Sequence, residues 1–95
     1  MKFEYDEKKS LSNKQKHGID FEEAKLLWDD DKMVELRATY EDEERFINIG
    51  KINAKFYTII TTIRDGKIRI ISARRSRKKE IEIYESWRIW QNLWR

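Results

Sequence analysis

Apolar and polar positions alternate through much of the second half of the chain. MVELRA (33–38) alternates residue by residue. RFINIGKI (45–52) and KFYTIITTIR (55–64) follow, rich in Ile, Thr and aromatics, and KIRIISARR (67–75) closes the series. A period of two in β-branched and aromatic residues predicts four consecutive strands. YEDEE (40–44) reads as an acidic turn and Asn53-Ala54 as a tight one. Asp65-Gly66 is the strongest turn signal, because a two-residue type I′ hairpin needs positive φ at both central positions.

The first half is patterned differently. KFEY (2–5) reads as a short strand, and Asp6 caps a polar helix that ends at Gly18. Asp20 opens a second helix. Asp20 and Glu23 have capping-box spacing, Ile19 and Ala24 are placed as a hydrophobic staple, and Phe21, Ala24, Leu27 and Trp28 fall on one face. Asp29, Asp30 and Asp31 end it. A last helix, with Ser76 as its N-cap, carries Ile83, Trp87, Trp90 and Trp94 as an apolar stripe. The order strand, two helices, four strands, helix predicts an α+β fold with a small, mostly antiparallel sheet. One domain spans residues 1–95, of which 87–95 form a Trp-rich helical tail.

The hairpin at Asp65-Gly66 sets a register from Arg64 opposite Lys67 to Tyr57 opposite Arg74. One face then holds Tyr57, Ile59, Thr61, Ile63, Ile68, Ile70 and Ser72, with Arg74 at its edge; Arg75 shares the other with Arg64, Lys67 and Arg69.

Charge changes this picture. Residues 64–79 carry eight cations against Asp65 alone, a local +7 that leaves −4 for the rest of a chain whose net charge is +3. Charge gathered on one hairpin is the footprint of a polyanion site; the competing reading is a solvated face whose arginines pair with the acidic turns. Cysteine is absent, which excludes disulfides and thiolate metal sites. No apolar run reaches the roughly 18 residues of a membrane span, and the N-terminus has no signal-peptide core, so the expected location is the cytoplasm.

His17 is the single histidine. It suits the C-terminal end of a helix dipole, and it is also the side chain that titrates nearest neutrality. One histidine without cysteine supplies no zinc ligand set. Asp29–Asp31 and Glu41–Glu44 read as solvated turns rather than a Mg²⁺ site, with Glu43 beside Arg45 an outside candidate for a general base. No metal or cofactor is expected. The Trp stripe reads first as core packing, with its last turns a possible partner surface.

The motifs KFEYDEKKS, KHGIDFEEA, EDEERFINIGKI and IRIISARRSRKKEIEIYE, in that order, resemble the BrnT family of ribonuclease toxins from type II toxin–antitoxin modules, whose fold is similar to RelE-type toxins. The likeness covers residues 2–86 and leaves out WRIWQNLWR. It implies an RNA endonuclease that inhibits translation by metal-independent attack of the ribose 2′-OH on the phosphate. It also implies a BrnA-like ribbon-helix-helix antitoxin that neutralises the toxin and, in complex with it, represses the operon. On the positions that match, Arg64, Arg74 and Arg75 would clamp phosphate and His17 would transfer a proton. Lys67, Arg69 and Arg77 would track the RNA, and Tyr57 or Phe56 would stack on a base. Two other readings use the same residues: a non-catalytic nucleic-acid-binding module on the basic face, and a partner-binding protein acting through the Trp-rich helix.

Overall fold

Three two-residue turns build the sheet. Glu41 and Asp42 have φ of 49° and 63°, Asn53 and Ala54 50° and 67°, and Asp65 and Gly66 53° and 73°. Positive φ at both positions matches the twist of the strands that each turn joins. A computed structural model describes the backbone of residues 2–93 and the side chains of residues 2–86. In it β1 (Phe3–Glu4), α1 (Glu7–His17) and α2 (Phe21–Ala24) precede a 3₁₀ turn at Lys25–Asp29. The meander β2 (Val34–Tyr40), β3 (Glu43–Ile52), β4 (Lys55–Arg64) and β5 (Lys67–Arg75) follows, then α3 (Lys78–Leu93). The sheet order is β1-β5-β4-β3-β2, antiparallel except for β1 beside β5. The expected α+β architecture is present. The acidic turn is shorter than the sequence suggests: Tyr40 pairs with Glu43, so only Glu41 and Asp42 lie outside the ladder. The side chains of Trp87, Trp90 and Trp94 lie outside the described residues, as does any test of their stripe.

α1 and α2 cover one face of the sheet. Asp6 caps α1 by accepting from the Lys8 and Lys9 amides, and Gly18 ends it in the left-handed region at φ 75°. The Asp20–Glu23 capping box forms as expected. Ile19, Phe21, Ala24 and Leu27 then bury against Ile52, Ile59, Ile70 and Ala73. Asn13 joins α1 to the sheet edge. Its buried carboxamide donates to the Ala73 carbonyl at 2.7 Å and accepts from the Ala73 amide at 3.3 Å, as a neighbouring strand would.

Asp30 differs from its expected role in a solvated turn. Its Oδ2 accepts from the Lys51 amide at 2.9 Å and the Tyr84 hydroxyl at 3.0 Å, tying the 3₁₀ turn to β3 and α3. The approach is close enough to require Gly50, where a Cβ would stand 3.0 Å from both Asp30 Oδ2 and Leu27 Cδ1.

α3 lies against the other face, where Tyr84 joins Val34 and Ile49, with Phe56 packed alongside. Its N-cap position is Arg77 rather than Ser76. The Arg77 amide donates to Glu80 at 2.7 Å, while the Ser76 hydroxyl is turned towards Thr58 Oγ1 at 2.8 Å.

A bulge in β5 overturns half of the expected hairpin register. Arg64 to Thr61 pair with Lys67 to Ile70 as predicted, but Ile60 then pairs with Ser72, leaving Ile71 as the extra residue. Thr58 therefore faces Arg74, and Tyr57 faces Arg75. Ala73 moves onto the face covered by α1 and α2, where it is fully buried beside Ile59. The two arginines exchange sides: Arg74, not Arg75, shares with Arg64, Lys67 and Arg69 the face that Tyr84 of α3 covers at Val34 and Ile49, and the open face is the part of it beyond that contact.

Candidate functional site

The open face carries a row of guanidinium groups, each held by a carboxylate from a neighbouring element. Arg64 lies 3.6 Å from Glu43, whose other oxygen accepts from Arg45 Nε at 3.2 Å. Arg69 reaches Glu4 on β1 at 2.8 Å, a contact that the parallel pairing of Glu4 with Arg69 sets up. Arg74 grips Glu80 with two parallel bonds of 2.8 Å. Arg64 is the last residue of β4, and Arg74 pairs with Thr58, six residues back along it. Six residues of strand separate them by roughly 20 Å. They cannot hold one phosphate together, and the row has the form of a track.

The Arg74 end is the most ordered part of the row. Glu80 also accepts from Thr58 Oγ1 at 3.0 Å and from the Arg77 amide at the start of α3. The Arg74 fork is the main cause that holds the Glu80 carboxyl at about 2, helped by the Arg77 amide and the Thr58 hydroxyl against the opposing effect of burial. Glu80 in turn raises the pKa of Arg74 above its ordinary value. Both side chains are mostly buried, so the guanidinium plane is fixed rather than swinging in solvent.

His17 is exposed at the end of α1 and lines a cavity of about 240 Å³ with Lys9, Lys16, Asn13 and Ser72. Ser72 stands two residues before Arg74 on β5, while α1 bonds through Asn13 to Ala73 on the face of Tyr57 and Arg75, and Gly18, next to His17, lines a second cavity with Tyr57. Arg75 and Tyr57 are on the opposite face, with the Arg75 guanidinium 5.6 Å from the Tyr57 ring centre and its Nε donating to the Phe56 carbonyl at 3.3 Å. Lys67 is exposed at the hairpin and Arg77 at the start of α3. The structure thus sets Arg64, Lys67, Arg69 and Arg74 along one face and puts Arg75 and Tyr57 on the other, which α1, the helix that ends in His17, covers.

Sequence reasoning missed Glu80 and Thr58. Glu80 had a signal, an acidic residue at the third position of a helix that follows a basic strand. Thr58 had none, since its partner depends on the bulge. Among the described residues no group of three or more His, Cys, Asp or Glu side chains could hold a metal ion, and no helix is long and apolar enough to cross a membrane.

A family model described as ribonuclease toxin, BrnT, of type II toxin–antitoxin system, matches residues 5–80. The chain belongs to this family. A search of curated proteins finds no match. Membership makes the chain a ribonuclease toxin, with RNA as its substrate and a cognate antitoxin as its partner. The matched region runs from Tyr5 to Glu80, so it contains the whole meander and ends on the carboxylate that fixes Arg74.

Proposed function

We propose that this toxin cuts single-stranded RNA on the open sheet face without a metal ion. The observation that carries the reading is the row Arg64, Arg69, Arg74 on one face, with His17 in a cavity that Ser72 of β5 also lines. The ribose 2′-oxygen attacks the adjacent phosphorus, and an O2′–P bond forms as the P–O5′ bond breaks. The products are a 2′,3′-cyclic phosphate and a 5′-hydroxyl. A base takes the 2′-OH proton and an acid supplies one to O5′. RNA is required because DNA lacks the nucleophile.

Arg74 stabilises the charge that builds on the phosphorane, since its plane is set before substrate arrives. His17 moves a proton. Lys67, Arg64 and Arg69 track the backbone towards the hairpin, and Arg77 holds phosphate beyond Arg74. Arg75, over the Tyr57 ring, contacts RNA that passes round the end of the sheet. The cognate antitoxin is a BrnA-like ribbon-helix-helix protein that covers the basic face and represses the operon as a complex. The test is incubation of antitoxin-free toxin with RNA in EDTA. Cleavage with 2′,3′-cyclic phosphate ends is expected. Activity that disappears in EDTA and returns with Mg²⁺ would overturn the mechanism.

A further inference from the structure

The far end of the open face holds an arrangement that backbone tracking does not explain. Tyr40, the last residue of β2, is 55% exposed, and among the described residues no other aromatic is as open. Its register partner is Glu43, across a two-residue turn of positive φ that fixes the two side chains on one face. The Arg45 guanidinium lies 4.6 Å from the Tyr40 ring centre, and Glu43 holds both Arg45 and Arg64. One side of the ring is therefore backed by a tethered cation, next to the first arginine of the track. The other side is not contacted by any aromatic or cationic group among the described residues. An exposed ring backed by a tethered cation beside a backbone-binding arginine is what a nucleobase stacks upon, because every base has a π face.

We propose that Tyr40, backed by Arg45, is a base-stacking subsite of the toxin. This rests on the reading that RNA crosses the open face, and deepens it by assigning a nucleobase contact remote from the scissile phosphate. Three inter-strand steps and about six residues of strand separate Tyr40 from Arg74, which puts the pad roughly 25 Å away. The pad therefore receives a base several nucleotides from the cut. It selects for substrate length and for strongly stacking bases there, rather than for chemistry at the cleaved bond.

The test uses antitoxin-free toxin and ten-nucleotide single-stranded RNAs, one intact and the others each with a single abasic ribose. With the intact RNA, Tyr40→Ala raises KM roughly ten-fold, carried by KM rather than kcat, and Tyr40→Phe restores it. One abasic position, several nucleotides from the cut, weakens the wild type by a similar factor and adds nothing to the loss in Tyr40→Ala. Wild-type KM in Tyr40→Ala, with Arg64→Ala impaired, would overturn the subsite and leave the RNA track standing. Wild-type KM in both variants would overturn the track as well. A loss in Tyr40→Ala that is equally additive with every abasic position would mean a general disturbance of the hairpin, and would also overturn the subsite.

Discussion

Arg74 and Glu80 meet across the junction between the last strand and the last helix, each guanidinium Nη 2.8 Å from its own carboxylate oxygen. The pair is the point where the sheet, the start of α3 and the proposed phosphate contact are coupled. Glu80 is ordinarily a carboxyl of pKa 4.5 and is held here at about 2. A depressed folded-state value stabilises the protein above the unfolded value, and that stability is lost as pH falls from there through the folded one. The contribution is on the order of 3 kcal/mol. At neutral pH, Glu80→Gln should lower the unfolding free energy by roughly 2 kcal/mol, since charge-assisted bonds become ordinary ones. The gap between wild type and variant should narrow as pH falls from about 5 to about 2. Urea denaturation across that range checks it, and a gap that does not change with pH would remove the carboxylate from this role.

The row of arginines predicts graded rather than all-or-none losses in RNA binding. Removing one phosphate contact lowers the slope of log affinity against log salt by about 0.7 for a single strand. Arg64→Ala and Arg69→Ala should each show this change. Arg37→Ala should not, because Arg37 sits over Phe46 on the other side of the sheet. Anisotropy titrations at several salt concentrations measure the slopes, and equal slopes for all three variants would contradict the track.

Asn13 should be among the most sensitive positions outside the site. It is buried and makes two contacts with Ala73 and one with the Ile19 carbonyl, at 2.8 Å. Asn13→Leu leaves those backbone groups unsatisfied, at roughly 1–3 kcal/mol for each buried group. Asn13→Asp should be at least as damaging at neutral pH, because it turns a carboxylate towards two carbonyl oxygens. Chemical denaturation of both variants tests the order.

Gly50→Ala should destabilise the fold by about 1–3 kcal/mol through overpacking against Asp30 and Leu27. Gly50 has no positive φ, so the effect is one of space and not of backbone strain. Pairing it with Leu27→Ala should recover part of the loss, which a double-mutant cycle would read directly.

Much of the fold was legible because local chemistry and tertiary structure agree. β4 and β5 have the predicted boundaries, since Asn53-Ala54 and Asp65-Gly66 leave each strand one place to start or stop. The site was less legible because of Ile71. Strict alternation assigns Ala73 to the charged face, yet the apolar spacing of Ile68, Ile70 and Ala73 breaks period two by one residue. That break is the trace of the bulge. A one-residue slip reverses every side chain beyond it, which is how Arg74 and Arg75 came to be exchanged. Glu4 was hidden for another reason: it reaches Arg69, 65 residues away in sequence, only once the chain has closed and β1 has paired with β5.

That closure has a temporal side. Phe21, Ala24 and Leu27 bury against Ile59, Ile70 and Ala73, and β1 finds its neighbour only in β5. A chain emerging from the ribosome presents these apolar side chains well before their seat has been synthesised. The RNA face waits for the last strand and the lock on Arg74 for the helix after it, so a polypeptide cut short before Arg75 lacks the carboxylate that fixes Arg74.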